Sequence, residues 1–237
     1  QLSSFSSMLS AISTIGDTLL KISVAELKKA QGDSELVEGE DWRNEAVGYL
    51  LEAVVLLTED NWLVSARPGN AQDVAASAMS TALAPFYHSY VSCRLQMAKM
   101  EEYFITLNAA DLDEVREDII SRTMEEEMSL ASSLGRVNLA SSLSCLSSLY
   151  QVCLPRLKDL FEKEGEMTPD AASLLEEARL LIMCTCHLLT DDCSGETPLI
   201  PEAILNACCK PSSAPNDFKR GSEDYAQATS AIIDLVS

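Results

Sequence analysis

Apolar residues recur at intervals of three and four positions through most of this chain of 237 residues. That interval places them on one side of an α-helix, whereas a half-buried strand would alternate every second residue. Polar corners rich in Gly, Pro, Asp or Ser separate the apolar runs. The pattern predicts helices over residues 2–31, 42–57, 71–107, 111–137, 138–164 and 169–189, a short helix from Pro201 and a last helix from Ser222.

Single residues refine these predicted boundaries. Gly16-Asp17 is a candidate break in the first helix. Pro85 is expected to kink the third helix, because proline removes one backbone hydrogen bond and clashes with the preceding turn. Asp111 is expected to cap the fourth helix, and Gly135 and Asn138 to mark the turn that follows it.

The helices follow one another in pairs, at about 40 to 60 residues per pair, which is near the period of HEAT and armadillo repeats. Several of them are apolar on more than one face, as helices stacked between neighbours must be. We therefore expect an all-α fold, an α–α superhelix of antiparallel helix pairs of the HEAT or armadillo type. Residues 1–237 would form a single solenoid segment. A globular bundle of helices is the rival architecture.

Composition supports the helical prediction. The chain has only 9 glycines and 8 prolines, and aromatic residues make up 5% of it. A β-sandwich or barrel needs many turns and many β-formers, so this composition argues against both. Hydrophobic residues make up 47%, which is enough for a substantial core.

The net charge of −20, from 37 acidic and 17 basic residues, narrows the class of partner. A field of this sign repels phosphate backbones and anionic lipids, so we expect neither a nucleic acid nor a membrane as partner. It attracts basic proteins instead. Solubility alone is the competing explanation for any single acidic residue.

Groups of acidic residues are therefore the candidate partner-binding residues. Along one wall of a solenoid they would form a trough for a basic partner, whereas scattered outward they would be only a solvated face. The helix dipole accounts for part of the first group, because acids are favoured in the first turn. The candidates are Asp111, Asp113, Glu114, Glu117 and Asp118; Glu125, Glu126 and Glu127; and Asp191, Asp192 and Glu196.

No residue pattern points to catalysis, a cofactor or a metal. The eight cysteines lack the C-x2-C spacing of structural zinc sites. Cys184 and Cys186 lie about 200° apart around one helix, so they should point to different sides. His88 and His187, the two histidines, have no nucleophile or base beside them in sequence. We expect reduced, mostly buried cysteines, helix-packing histidines and no enzyme.

The two ends of the chain lack the signs of a targeting or membrane segment. No window reads as long and uncharged enough for a bilayer span, and no signal peptide is present. The sequence starts at Gln1 inside an apparent helix and stops at Ser237 in mid-pattern. We therefore expect an internal part of a larger protein.

Three segments, in the same order, resemble nuclear export receptors. Tyr49–Asp60 resembles a helix in the middle of large exportins, and Asp118–Leu157 resembles their acidic helix followed by a leucine- and cysteine-bearing helix. Glu176–Ala203 resembles a corner of these receptors, and the match is most specific at Gly195–Pro201. The chain is thereby similar to the importin-β (karyopherin) family, and within it to the exportin-4 group.

The resemblance implies a HEAT-repeat segment of a nuclear transport receptor. Such receptors bind the small GTPase Ran in its GTP form, carry a folded cargo past nuclear pore proteins and shuttle between nucleus and cytoplasm. For the exportin-4 group it implies a basic protein cargo such as the hypusinated translation factor. An acidic, flexible superhelix suits partners of this kind, since each repeat contacts only its neighbours.

Two other functions fit the same helical pattern. One is a different α-solenoid scaffold without a transport role, such as a vesicle-coat or phosphatase-scaffold subunit. The other is a helical-bundle enzyme or regulator whose site the local sequence does not reveal. Selective binding of GTP-loaded Ran would favour the transport receptor over both.

Overall fold

A computed structural model describes residues 2–30, 42–59, 70–107, 114–162, 168–190, 200–201 and 203–204. Within these ranges the chain is all-helical and contains no strand. The predicted last helix from Ser222 and the loop before it lie outside the described residues. The helices are α1 (Leu2–Ala30), α2 (Trp42–Glu59), α3 (Asn70–Leu107), α4 (Glu114–Arg136), α5 (Leu139–Glu162) and α6 (Pro169–Leu189).

The helix boundaries follow local chemistry, and α6 is the clearest case. The Thr168 hydroxyl oxygen accepts a hydrogen bond from the Ala171 amide at 3.2 Å, and Pro169 occupies the first turn. Both features satisfy or remove amide donors that a helix start leaves without partners. At the other end, the Thr190 amide donates to the Cys186 carbonyl at 2.9 Å.

One expected break is absent, and two prolines lie inside helices. α1 continues through Gly16 and Asp17, so the predicted break there is wrong. α3 continues through Pro85, and α5 likewise contains Pro155. Asn138 lies in the turn between α4 and α5 at 137–138, as predicted, whereas Gly135 lies in the last turn of α4.

α3 is the helix around which the others pack. Its contact with α1 is the most extensive in the molecule, its contact with α6 is the next, and it also touches α4 and α5. α2 packs on α1 and α4, and α6 packs on α4 and α5. Among the described residues, neither α1 nor α2 has an extensive contact with α5 or α6. The two ends of the helix series are therefore separated by α3 and α4.

Specific contacts fix the directions of the helices. α1 runs parallel to α3, because Gly16 lies against Phe86 while Lys28 contacts Gln96 further along both helices. α5 also runs parallel to α3, since Ser141 bonds His88 near its start. At the far end of α5, Arg156 and the α3 residue Lys99 both pair with Glu177 of α6, at 2.9 and 3.1 Å.

α4 and α6 run in the opposite direction to α3. On α4, Glu127 pairs with Arg94 and the later Gly135 lies against the earlier Tyr87. On α6, Ser173 Oγ donates to the Lys99 carbonyl at 3.0 Å, while the later Leu188 and the earlier Tyr87 both lie against Gly135. The helices α3 to α6 thus alternate up and down.

The core is one continuous cluster whose largest members come from α3. Phe86, Tyr87 and Tyr90 are fully buried there and contact the neighbouring helices. Two glycines permit this packing. A Cβ at Gly16 would overlap the Phe86 ring, and a Cβ at Gly135 would lie 2.7 Å from the Tyr87 ring. Both helix crossings therefore depend on the missing side chain.

One helix meets the requirements for a membrane span, contrary to the expectation from the sequence. Ser3–Lys29, within α1, is long and apolar enough by length and composition alone, and one third of the window is buried. Core helices of soluble proteins pass the same test. Here Leu9, Leu20 and Val24 are buried in the core cluster, so packing explains part of the apolar character.

Candidate acidic interaction surface

The acidic run Glu125–Glu127 is the one predicted group whose side chains the structure describes in full. Glu125 and Glu126 are exposed, whereas Glu127 is only 6% exposed. Three consecutive glutamates on a helix point in directions about 100° apart, so one can face the core while two face solvent. The run is therefore divided between two different roles.

The carboxylate of Glu127 is buried and paired inside the protein. It accepts a hydrogen bond from the Arg94 guanidinium, and Tyr90 Oη donates to it at 3.4 Å. Arg94 is 8% exposed. Burial opposes the charge on Arg94, but Tyr90 and Glu127 outweigh that effect and hold the pKa of the guanidinium above its usual value. The assignment of Glu127 as a partner-binding residue is thereby corrected, because its carboxylate is buried and paired.

Acidic residues from three helices lie around Arg179 of α6. Arg179 donates to both carboxylate oxygens of Glu176, at 2.6 and 2.7 Å. The pKa of Arg179 is raised by this bond first, against partial burial, and then by Glu102 of α3 and Glu125 of α4. These three carboxylates therefore share one neighbourhood, in which Glu125 is exposed and the other two are half-buried. We call Glu102, Glu125 and Glu176 the acidic surface.

Arg179 neutralises part of the acidic surface. Its guanidinium forms a bidentate bond with Glu176. Glu125 and Glu126 are exposed, so they keep most of their hydration and can exchange it for a basic side chain at small cost. A surface of this kind can attract and orient a basic protein.

Arg136 fixes the end of α6, just before the predicted acidic corner. Its Nη2 donates to the carbonyl oxygens of His187 at 2.6 Å and Thr190 at 2.8 Å, and its Nε donates to that of Leu188 at 3.2 Å. These carbonyls belong to the last turn, where a helix leaves acceptors without partners and the dipole favours a cation. The last residue of α4 thus clamps the end of α6.

The structure does not describe the side chains of the remaining acidic residues that were predicted to bind a partner. The side chains of Glu114, Glu117 and Asp118 lie outside the described residues, although the backbone there belongs to α4. Asp111, Asp113, Asp191, Asp192 and Glu196 lie outside the described residues altogether. Their roles as partner-binding residues stay predictions.

Sequence reasoning missed two members of the acidic surface, Glu102 and Glu176. Each stands in a pair of adjacent acids, Glu101-Glu102 and Glu176-Glu177, rather than in a longer run. Their proximity depends on which faces of α3, α4 and α6 meet, and that information is tertiary. In the sequence, only these isolated pairs of acids could have pointed to the two residues.

The described cysteines and histidines lie at positions that range from buried to exposed. Cys184 is buried and Cys186 exposed, which confirms that they point to different sides. Burial raises the pKa of the Cys184 thiol to about 12, so it stays protonated and inert. His88 Nε2 lies 3.0 Å from the Ser141 hydroxyl, between α3 and α5. Within the described ranges, no three metal-ligating side chains cluster.

Two comparisons with known proteins found no match. No protein-family model matches it. No solved structure matches it either.

Proposed function

We propose that this chain is a segment of a nuclear transport receptor of the importin-β (karyopherin) family, similar to the exportin-4 group. It would bind GTP-loaded Ran and a basic protein cargo, and would shuttle between nucleus and cytoplasm with its receptor. The observation that carries the proposal is the acidic surface, because α3, α4 and α6 bring three carboxylates together on a chain of net charge −20.

The packing of the helices supports the solenoid part of the proposal. In a solenoid each repeat contacts only its neighbours. Here α1 and α2 are separated from α5 and α6 by α3 and α4, and α3 to α6 alternate in direction. A bundle closed on itself would bring the first and last helices together.

Exposed apolar stripes on the first helix pair support the same architecture. Met8, Ile15 and Ile22 of α1 are exposed at intervals of seven residues. Trp42, Tyr49 and Leu56 of α2 repeat that interval and are each more than half exposed. Two turns of helix separate the members of such a stripe, so each stripe follows one face. The end pair of a helical stack offers faces of this kind to the next pair.

Electrostatic attraction would act in two ranges. The net charge of the chain would steer a basic protein toward it at low ionic strength, and this effect weakens beyond about 8 Å at physiological salt. Contacts with Glu125 and Glu126 would then set the orientation of the bound partner. Affinity for a basic partner should therefore fall as salt rises.

Binding to Ran in its two nucleotide states tests the proposal. The 237-residue chain, and a longer receptor that contains it, would be titrated with Ran loaded with a non-hydrolysable GTP analogue and with GDP. Tighter binding of the GTP form supports a transport receptor. Equal or absent binding by the longer protein rejects it and leaves an α-solenoid scaffold without a transport role. The hypusinated translation factor is the cargo to add in a second titration.

A further inference from the structure

The exposed apolar stripes of α1 and α2 form one surface. Arg43, in the first turn of α2, pairs with Glu26 near the end of α1, and its guanidinium carbon lies 5.6 Å from the centre of the Trp42 ring. Glu26 stands one turn after Ile22, so this pair links the end of one stripe to the start of the other. We call the exposed residues of the two stripes the apolar face: Met8, Ile15, Ile22, Trp42, Tyr49 and Leu56.

α2 runs back along α1. It begins beside Glu26, close to the end of α1, so a parallel α2 would leave α1 after about one turn. Among the described helices, the contact of α1 with α2 is instead the third most extensive. With Arg43 level with Glu26 along the helix axes, equal rise per residue brings Tyr49 level with Leu20. The two stripes therefore run side by side in opposite directions.

Small residues follow the outer side of α1 at the same interval of seven. Ala11, Thr18 and Ala25 are exposed, and each stands three residues after a member of the α1 stripe. The stripe of α2, by contrast, consists of large side chains that are each more than half exposed. Rows of side chains on one helix pack into the spaces between rows on another, so a row of small residues offers room for a row of large ones. Tyr49 lies within about 3 Å of the level of Thr18.

Exposed charges beside the apolar face differ in sign between the two helices. The last turn of α1 carries Lys28 and Lys29, whereas the exposed charges that the structure describes on α2 are Glu45 and Glu52. Arg43 is half-buried and paired with α1. An α1 helix therefore complements the charge of an α2 helix, and neither complements a copy of itself.

We propose that the apolar face binds a second copy of this chain, in a symmetric dimer in which α1 of each copy packs against α2 of the other. A two-fold axis parallel to the helices gives this arrangement and keeps every residue at its own level. The large row of each α2 then faces the small row of the partner's α1. Lys29 faces the first turn of the partner's α2, where Glu45 is exposed. The proposal does not rest on the transport role.

The other two-fold arrangement lacks this fit. An axis perpendicular to the helices, within the interface, would place α1 on α1 and α2 on α2. Large side chains would then meet large ones, small ones would meet small ones, and the lysines and glutamates would not face each other. Size and charge therefore both select the contact of α1 with the partner's α2.

The dimer should be weak. The net charge of −20 on each copy opposes association, so apolar contact must supply the attraction. α2 is 18 residues long, which with two helix widths gives a face of about 27 by 20 Å in each copy. Two such faces, about 1,100 Å² together, lie near the lower limit of stable interfaces. We therefore expect a Kd on the order of 10 µM at about 0.15 M salt.

Sedimentation equilibrium of the 237-residue chain tests the proposal, at protein concentrations from about 1 to about 200 µM. We expect a monomer–dimer equilibrium. Tyr49→Glu places a charge in the middle of each face and should weaken the dimer about twentyfold or more. Phe161→Glu is the matched control, because Phe161 is 74% exposed on α5. It should change the affinity by less than about twofold.

A charge exchange tests whether the partner is a second copy in this arrangement. Lys29→Glu and Glu45→Lys should each weaken the dimer about five- to tenfold, because each sets like charges against each other at two symmetric contacts. Both substitutions in the same chain should restore the affinity to within about twofold. Net charge alone would move the two single variants in opposite directions. Helical circular dichroism would show that each variant is folded.

Three outcomes would overturn the proposal. A chain that stays monomeric at about 200 µM would leave the apolar face to another helix pair of a longer protein. Equal weakening by Tyr49→Glu and Phe161→Glu would put the contact elsewhere. A charge-exchanged chain that binds no tighter than its single variants would exclude the packing of α1 on the partner's α2. None of these results measures Ran binding, so the dimer and the transport proposal can fail separately.

Discussion

Two arginine–glutamate pairs in this molecule have the same chemistry and opposite consequences. Arg94 and Glu127 join α3 to α4 and are each less than one tenth exposed. Arg179 and Glu176 lie on α6, where the guanidinium side chain is half exposed and the carboxylate one fifth exposed. The first pair is buried between two helices, whereas the second lies at the surface of one helix, within the proposed binding surface.

The energetic reason is the cost of removing charge from water. At the surface both partners stay hydrated, and such a pair contributes about 0 to 1 kcal/mol. In the interior the pair has lost its hydration, so removal of one partner leaves a buried charge and costs about 3 to 5 kcal/mol. Glu125 and Glu126 belong to the first situation and Glu127 to the second, although the three are adjacent in sequence.

The largest expected effect is the loss of Glu127. Glu127→Gln leaves the Arg94 charge without its carboxylate, so we expect the free energy of unfolding to fall by about 3 to 5 kcal/mol. Urea denaturation measures it. The matched control is Glu126→Gln, which is expected to change stability by less than about 0.5 kcal/mol. Similar losses in both variants would contradict the division of the run.

A double variant sharpens the same contrast. Arg94 Nε is buried and has no hydrogen-bond partner among the described residues, so the buried pair is not fully satisfied. Arg94→Met combined with Glu127→Leu removes both charges. We expect it to recover most of the stability that Glu127→Gln loses, because an apolar pair carries no desolvation cost. A double variant as unstable as the single one would show that the ion pair is itself stabilising.

Arg136 is intermediate between the buried and the exposed arginine, since it is half-buried and donates to backbone carbonyls. Arg136→Met removes three hydrogen bonds from the last turn of α6, and we expect a loss of about 1.5 to 3 kcal/mol. Amide hydrogen exchange should rise at the end of α6 before it rises in α3. Unchanged exchange there would mean that the clamp does not hold the helix end.

The apolar counterpart of the buried pair is the crossing of α1 and α3 at Gly16. Gly16→Ala places a methyl group into the Phe86 ring, so we expect it to destabilise by about 1 to 3 kcal/mol. Gly48→Ala is the control, because its Cβ would lie 3.6 Å from the nearest Glu127 atom, an ordinary contact. Helix propensity then predicts a gain of up to about 1 kcal/mol. Equal effects in thermal denaturation would refute the close approach.

The smallest expected effect concerns a surface pair, Asp17 and Lys21. Burial opposes ionisation of Asp17, but hydrogen bonds from Lys21 and Ser89 outweigh it and lower its pKa from the ordinary 3.8. Its stabilising contribution is therefore complete above about pH 4 and is lost as the pH falls through the lowered pKa. In Asp17→Asn, the free energy of unfolding should fall less steeply below pH 4 than in the unchanged protein. Near pH 7 its dependence on pH should be the same in both proteins.

Much of the helical pattern could be predicted from sequence because local signals mark it. α6 begins and ends where predicted, since Pro169 occupies its first turn and the apolar run stops at Leu189. The interruption at Gly16 was predicted wrongly, because glycine there serves a close helix crossing that involves a residue 70 positions away. A local pattern cannot distinguish these two uses of glycine.

The candidate site was less accessible to sequence reasoning. Glu127 lies four and seven residues before Ala131 and Leu134, on the buried side of α4, so helical periodicity contained a signal for its burial. The partnership with Arg94 and the approach of Glu102, Glu125 and Glu176 to Arg179 depend on how three helices pack. No spacing within one helix encodes either arrangement.

The most direct test of the proposed function compares two equal charge removals for binding of GTP-loaded Ran. Glu125→Gln with Glu126→Gln alters the acidic surface, and Glu45→Gln with Glu52→Gln removes the same charge from the exposed face of α2. Titration calorimetry should show affinity reduced about three- to tenfold by the first pair and less than twofold by the second. Equal losses would mean that only net charge matters, and no loss in either would contradict a binding role for this surface.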